Sequence, residues 1–108
     1  MFVVLTCASG VTRGEVIPIE HGGRLSIGRS SQAGRKVRDT HLSRIHLEID
    51  FTGDRALVRD MDSRNGVFVN GTKIKQQKVL ADQDRVLAGE QVWDVVYVRD
   101  LSALSEEA

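Results

Sequence analysis

Short β-rich runs separated by turn signals constrain the fold of this chain more than any other sequence feature. Asn and Gly occupy many of the breaks, as in Asn65-Gly66, Asn70-Gly71 and Ala88-Gly89. Both residue types tolerate the positive φ angles that tight turns between twisted strands require. Many short strands joined in this way predict an all-β fold, an antiparallel sandwich or barrel. The predicted strands are Phe2–Thr6, Glu15–Ile19, Arg24–Gly28, Ile45–Asp50, Ala56–Asp60, Val67–Asn70, Arg85–Ala88 and Gln91–Arg99.

The composition fits one small domain and disfavours several partner classes. With 108 residues and 41% hydrophobic content, the chain can bury a single core. Its 15 basic residues balance 15 acidic residues, so no whole-molecule field draws it to DNA or to an anionic membrane. We therefore expect the chain to bind neither nucleic acid nor membrane, and any preference for anions must come from local clustering. The protein is also expected to be monomeric.

The single cysteine and the N-terminal run bear on the compartment. Cys7 can form no intramolecular disulfide and belongs to no Cys-x-x-Cys zinc pattern. Inside a strand pattern, it is expected to be a small buried hydrophobe. The run Phe2-Val3-Val4-Leu5 is too short for a membrane span and lacks the positive leader of a signal peptide. These features predict a cytoplasmic location.

Positive charge is concentrated between residues 29 and 46. This segment carries a local charge of +4, because Asp39 is its single acid. Arg29 directly follows one predicted strand and Arg44 directly precedes another, so the scaffold holds both in place. A guanidinium held in this way binds phosphate through paired, planar hydrogen bonds. Within the segment, Ser30–Thr40 has little apolar content and is predicted to be a long surface loop.

Three motifs in order along the chain resemble the forkhead-associated (FHA) domain family. They are Gly28-Arg29, Ser43-Arg44-Ile45-His46 and Asp60-Met61-Asp62-Ser63-Arg64-Asn65-Gly66-Val67-Phe68-Val69-Asn70-Gly71. The segment Leu80–Val86 is similar to a further family motif, Leu-x-Asp-Gly-Asp-x-Ile, with Gln83 in place of glycine. The resemblance runs from about Gly14 to Val98 and implies a β-sandwich of about eleven strands with binding loops at one end.

The same resemblance implies a non-enzymatic module, without cofactor or metal, that binds phosphothreonine on proteins phosphorylated by a Ser/Thr kinase. The residues expected to bind the phosphothreonine segment are Arg29, Ser43, Arg44, Arg64 and Asn65. Asn65 is expected to hold the peptide backbone, and His41 to read the side chain three residues after the phosphothreonine. Structural support of the site is expected from Gly28, His46, Asn70 and Gly71.

Two residues depart from the family pattern within the third motif. Arg64 stands where a small hydroxyl residue is usual, and it could add a phosphate contact or cover the pocket and shift peptide preference. Asp62 replaces the glycine of an Asp-x-Gly-Ser turn, a change that Asp tolerates at low cost. Neither change removes an expected phosphate ligand.

Two catalytic or metal-binding interpretations compete with this one. Ser43, His46 and Asp60 could form a hydrolase triad, but no Gly-x-Ser-x-Gly elbow accompanies them. A metal site is the second alternative, and the spacing of its candidate ligands matches no common zinc pattern. Those candidate ligands are His21, Asp39, His41 and His46.

Two binding alternatives also remain. The basic run Arg35–Arg38 could contact nucleic acid, but it lacks interleaved aromatic residues and the chain has a net charge of +0. The same fold could also serve a phosphate-independent interaction module, although Arg29, Ser43, Arg44 and Asn65 together favour phosphate binding. The domain is expected to span residues 1–100, followed by a short C-terminal tail over 101–108.

Overall fold

Eleven β-strands form two packed sheets in the computed structural model, which describes residues 1–102. One sheet has the order β2-β1-β11-β10-β7-β8 and the other β4-β3-β5-β6-β9. The predicted all-β sandwich is therefore confirmed. The strands are β1 (Phe2–Ser9), β2 (Val16–Glu20), β3 (Arg24–Gly28), β4 (Arg35–Lys36), β5 (Leu47–Asp50), β6 (Leu57–Asp60), β7 (Val67–Val69), β8 (Thr72–Lys73), β9 (Gln77–Val79), β10 (Arg85–Ala88) and β11 (Gln91–Val98).

Each of the eight predicted runs contains a strand, whereas the β4, β8 and β9 strands were not predicted from the residue pattern. β4 and β8 have two residues each, too few to display the two-residue alternation that marks a strand, and the three residues of β9 are all exposed and show no alternation. The pairing of β3 with β4 is parallel, while the other strand pairs of the described residues are antiparallel. The antiparallel prediction needs correction at this one pair.

The core lies between the inner faces of the two sheets. Along β11, Trp93 and Val95 point inward and pair with Cys7 and Leu5 of β1. Cys7 is 2% exposed, which confirms that it is a small buried hydrophobe. Full burial of an aliphatic or aromatic side chain stabilises the fold by about 1.5–3 kcal/mol. This packed core stabilises the two sheets whose ends carry the loops.

Strand register brings several loops to one end of the sandwich. Ile27 of β3 pairs with Leu47 of β5, and Leu47 pairs with Asp60 of β6. In the other sheet, Ala88 of β10 pairs with both Val67 and Gln91. The segments after β3, before β5, after β6 and between β10 and β11 therefore meet at the same end.

The segment Ser30–Thr40 is more firmly attached than the predicted surface loop. Ala33, Val37 and Asp39 are buried, and the Val37 N–H donates to the Gly28 carbonyl at 2.8 Å. The short parallel pairing of β4 with β3 adds to this attachment. The few apolar residues of the segment were too sparse to form a pattern, yet they are the ones that anchor it.

The described chain ends shortly after β11, at the exposed Leu101 and Ser102. Residues 103–108, which make up most of the predicted C-terminal tail, lie outside the described residues. Over the described part of the chain, no helix has the length and apolar character needed to cross a bilayer.

Candidate functional site

Gly28 allows β3 to run directly against the segment that precedes β5. A Cβ atom at Gly28 would lie 2.0 Å from the carbonyl oxygen of Arg44, so any larger residue would push these two segments of the backbone apart. The N–H groups of Arg29 and Ser30 then donate to the carbonyls of Ser43 and Arg44, at 3.0 and 3.1 Å. This close approach fixes the start of the Arg29 side chain beside Ser43.

The Arg29 side chain is held at one end and free at the other. Its Nε–H donates to the Leu42 carbonyl at 3.0 Å, which uses one of the five N–H donors of the guanidinium. No carboxylate lies within ion-pairing distance of Arg29 in residues 1–102. The terminal amino groups therefore remain available to an anionic ligand.

His46 joins two loops from a fully buried position. Its side chain is 0% exposed, its Nδ1 accepts the Ser43 N–H at 2.9 Å, and its Nε2 lies 2.8 Å from the Gly66 carbonyl. Because Nδ1 accepts a proton donor, the imidazole is neutral with its proton on Nε2. His46 thereby connects the Ser43 loop to the loop after β6.

Two further hydrogen bonds join the Ser43 loop to the loop after β6. The Arg64 N–H donates to the Ser43 Oγ at 2.9 Å, and the Asn65 Nδ2 donates to the His41 carbonyl at 2.8 Å. The Ser43 hydroxyl keeps its own proton for a ligand, because it acts as the acceptor in this bond. Arg64 thus lies opposite Ser43, and Asn65 lies opposite His41.

The loop after β6 is shaped by a local turn. The Asp60 carboxylate accepts the Ser63 N–H at 2.8 Å, and the Ser63 Oγ accepts the Gly66 N–H at 3.0 Å. Asp62 lies between them with φ of 58°, the left-handed conformation that the glycine of the family motif would adopt without strain. Asp is one of the few other residues that adopt it readily, as the sequence analysis expected.

Asp39 is a support of the site that the sequence analysis did not identify. It is 5% exposed, and one carboxylate oxygen accepts the Glu90 N–H at 2.7 Å and the Gln91 Nε2 at 2.9 Å. The other oxygen accepts the His41 N–H at 2.8 Å and lies 3.2 Å from the His41 ring. Asp39 thereby ties the segment before β5 to the turn between β10 and β11.

The electrostatics of Asp39 agree with this dense hydrogen bonding. Burial by itself raises the pKa of the Asp39 carboxyl. Hydrogen bonds from Gln91, Glu90 and His41 together outweigh burial and lower the pKa to about 2. Asp39 is therefore ionised at neutral pH, and its charge is already satisfied by the protein.

These contacts shape an open cleft of about 480 Å³. None of its lining residues is a carboxylate, and its three arginines form no ion pair within the described part of the chain. Two acids lie beside its rim at His41: the buried Asp39 carboxylate, 3.2 Å from the His41 Nδ1, and the exposed Glu90 carboxylate, 3.7 Å from the same atom. The cleft is lined by Arg29, Thr40, His41, Leu42, Ser43, Arg44, Arg64 and Asn65.

The structure brings together the six residues expected to contact a ligand, from three separate segments of the chain. Of the four expected supports, Gly28 and His46 lie directly beneath the cleft. Asn70 and Gly71 lie at the opposite end of β7, where φ angles of 51° and 85° form the two-residue turn into β8. Asn70 also accepts the Arg85 N–H and donates to Asp84, so its support is to the sandwich and not to the cleft.

Comparison with known proteins identifies the family. The family model described as the FHA domain matches residues 25–89, which contain every residue that lines the cleft. This chain belongs to the FHA domain family. The predicted resemblance is confirmed, and the loops that carry its motifs are those that form the cleft.

Individual relatives agree with this assignment. The FHA domain-containing protein FhaA of Mycobacterium tuberculosis is 37% identical over 76 residues, 70% of this chain and 14% of FhaA. A structure solved in a study of phosphothreonine-dependent FHA domain interactions is 33% identical, with a TM-score of 0.81, covering 93% of this chain and 100% of that one. The FhaA FHA domain, solved in complex with the intracellular domain of Rv3910, is 34% identical, with a TM-score of 0.75 and coverages of 86% and 98%.

The geometry of this FHA domain does not support the hydrolase triad. Both ring nitrogens of His46 are hydrogen-bonded to backbone groups, the N–H of Ser43 and the carbonyl of Gly66. The Ser43 hydroxyl is bonded to the Arg64 N–H, and Asp60 accepts from Ser63. A triad requires the imidazole to take the serine proton, and His46 has no nitrogen directed at that hydroxyl.

The candidate metal ligands also group differently from the sequence-based set. Asp39, His41 and Glu90 have ligand atoms within 4.8 Å of one another, whereas His46 is buried beneath the cleft and His21 bonds the Gly53 carbonyl. A cation at Asp39 would have to displace hydrogen bonds that both carboxylate oxygens already accept. These contacts explain the three residues as a structural tie.

Proposed function

We propose that this FHA domain binds phosphothreonine-containing segments of proteins that a Ser/Thr kinase has phosphorylated. The observation that supports this most is the convergence of Arg29, Arg44 and Arg64 with the Ser43 hydroxyl in a cleft whose lining has no carboxylate. Guanidinium groups bind phosphate through paired hydrogen bonds that match its oxygens in geometry and charge. A neutral ligand would leave these donors without a matching acceptor.

Six of the eight residues that line the cleft have distinct parts in this proposal. Arg29, Ser43 and Arg44 bind the phosphate oxygens, and Arg64 adds a further positive charge beside them. Asn65 holds the backbone of the bound segment through amide groups not used in its bond to the His41 carbonyl. His41, which is about half exposed at the rim, contacts the side chain three residues after the phosphothreonine.

The threonine requirement is proposed on family membership and on elementary packing. The extra methyl group of phosphothreonine would fill a small apolar recess, worth about 1 kcal/mol for one buried carbon. One similar structure comes from a study of phosphothreonine-dependent FHA domain interactions, which supports the same choice of residue.

We further propose that the domain acts by binding alone and not as an enzyme, without a cofactor. Both nitrogens of His46 are committed to backbone groups, which leaves Ser43 without a general base. The balanced net charge favours phosphorylated proteins as partners over nucleic acid or membrane. The single buried cysteine fits a cytoplasmic location. We also propose that the protein is monomeric.

A thermal-shift experiment tests the proposal. The protein is melted with a phosphothreonine peptide, with its unphosphorylated twin, and alone. A ligand that binds only the folded state, at a concentration of 100 times its Kd, stabilises that state by about 2.7 kcal/mol. The phosphopeptide should therefore raise the melting temperature, and the unphosphorylated peptide should not. Equal shifts with both peptides would instead identify a phosphate-independent interaction module.

A further inference from the structure

Arg64 supplies more positive charge than a single phosphate requires. Arg29, Arg44 and Arg64 all line the cleft, and none has an acidic partner among residues 1–102. A phosphate ester carries a charge of about −1.5 to −2 at neutral pH. Two arginines balance that charge, and the third remains available to another anion.

Two hydrogen bonds fix where Arg64 lies along the cleft. Its backbone N–H bonds the Ser43 hydroxyl, while the next residue, Asn65, bonds the His41 carbonyl. Along this loop, Arg64 is therefore farther from His41 than Asn65 is. The proposed function places the residues after the phosphothreonine near His41, so Arg64 lies beside the phosphate and the residues that precede it.

The two ends of the cleft also differ in charge: the His41 end has an acidic neighbour, and the Ser43 end is positive. On the His41 side, Glu90 lies 3.7 Å from the imidazole and is largely exposed. On the Ser43 side, Arg64 and Arg44 are exposed, with no acid among the lining residues. An anionic group on the ligand is attracted to the Ser43 side and repelled from the Glu90 side.

From this arrangement we propose that Arg64 recognises a second anionic group, on one of the two residues that precede the phosphothreonine. The inference rests on the proposed phosphothreonine binding and narrows its substrate class to acidic or doubly phosphorylated segments. A small hydroxyl residue such as serine, which is usual at this position in the family, is too short to reach that second anionic group. Arg64 is thus the residue that sets this preference.

A peptide series with one matched variant tests the inference. Four phosphothreonine peptides differ only in the two preceding residues, which are both alanine, both glutamate, both lysine, or phosphothreonine followed by alanine. A fifth peptide carries its two glutamates directly after the phosphothreonine. Affinities are measured by calorimetry for the wild type, Arg64→Ser, Arg64→Lys, and Arg38→Ser as a control at an exposed arginine outside the cleft lining.

For each variant, the inference is tested by the affinity of each peptide relative to that of the alanine peptide. For the wild type and Arg38→Ser, glutamates before the phosphothreonine should strengthen binding about fivefold, as expected for an exposed ion pair of nearly 1 kcal/mol. The doubly phosphorylated peptide should gain more. In Arg64→Ser the gain should fall below about twofold, and in Arg64→Lys part of it should return.

Three results would overturn the inference. They are an equal gain in Arg64→Ser and wild type, no gain in the wild type, or a larger gain for glutamates after the phosphothreonine. In each case the alanine peptide would still bind, so the proposed function would stand. Failure of the alanine peptide itself to bind would reject the proposed function, and the inference with it.

Discussion

The arginines that line the cleft differ from the buried polar residues beneath it in how their hydrogen-bonding groups are used. Arg29, Arg44 and Arg64 are exposed and lack acidic partners among the described residues. His46 and Asp39 are buried, and their polar side-chain atoms accept or donate hydrogen bonds within the protein. The first group keeps its donors for a ligand, whereas the second uses its groups to hold the loops together. Changes in the first group should therefore affect binding, and changes in the second should affect stability first.

The largest expected effect is on binding, from removal of the Arg29 guanidinium. Arg29→Ala should weaken phosphopeptide binding by about 30-fold or more, since loss of one partner of a hydrogen-bonded charge pair costs roughly 2–5 kcal/mol. The melting temperature should change little, because the side chain makes one bond, to the Leu42 carbonyl. Calorimetry and thermal melting measure the two quantities.

The control for that variant is Arg38→Ala, which removes the same charge from an exposed position outside the cleft lining. It should bind the phosphopeptide with nearly wild-type affinity. If both variants lost affinity equally, the attraction would be one of general charge and the cleft would not be the site.

Removal of the His46 ring should have the reverse profile, a loss of stability first. His46→Ala leaves the part-buried Ser43 N–H and the buried Gly66 carbonyl unpaired, and an unsatisfied buried group costs about 1–3 kcal/mol. We expect the free energy of unfolding to fall by roughly 3 kcal/mol, with weaker binding as a consequence of loosened loops. Denaturant unfolding measures this change.

His21→Ala provides the comparison, because His21 is exposed and lies before the start of β3, at the end of the sandwich away from the cleft. Its loss of stability should be smaller, with phosphopeptide binding retained. A His46 variant with wild-type unfolding but no binding would instead make His46 a direct ligand.

The acid limb of the stability curve should report on Asp39. Its pKa is lowered from 3.8 to about 2 in the folded protein, so the unfolded chain takes up this proton first as the pH falls. The contribution of Asp39 is therefore complete above about pH 4 and is lost towards pH 2, and it amounts to about 2 kcal/mol.

The measurement compares the wild type with Asp39→Asn at several pH values. Asn places an NH₂ group against the Glu90 N–H or the His41 N–H, so the variant should be less stable at neutral pH. The difference in free energy of unfolding should shrink as the pH falls from 4 to 2. A difference that stays constant over this range would mean that the Asp39 charge is not what stabilises the loops.

The smallest expected effect concerns two residues with positive φ outside the buried group. Gln83 has φ of 72° and stands where the family motif has glycine, so Gln83→Gly should stabilise the fold by about 0.5–1 kcal/mol. Asp62→Gly should gain less, because Asp adopts its φ of 58° more readily. Neither substitution should change the affinity for the phosphopeptide. Denaturant unfolding would contradict this prediction if Gln83→Gly were less stable than the wild type.

The comparison also explains which features could be predicted from the sequence. Most strands were predictable because alternation and turn residues mark them locally, including the three-residue β7, which lies between the Asn65-Gly66 and Asn70-Gly71 turns. The cleft residues were predictable because charge and motif order are visible along the chain, as for Arg29 and Asn65. The bonds from Asp39 to Glu90 and Gln91 join residues 51 and 52 positions apart, and no local pattern signals such a tie. The one available sign was that Asp39 is the single acid in a basic segment.

The central claim is that the cleft requires a phosphate dianion on threonine. Its most direct test is calorimetric titration with matched peptides that carry phosphothreonine, phosphoserine, glutamate or unmodified threonine. We predict micromolar or tighter binding of the phosphothreonine peptide, at least about fivefold weaker binding of phosphoserine, and no measurable binding of the other two, since a carboxylate offers fewer oxygens and less charge. Comparable affinity for the glutamate or unmodified peptide would contradict the phosphate claim, and equal affinity for phosphoserine would contradict the threonine claim.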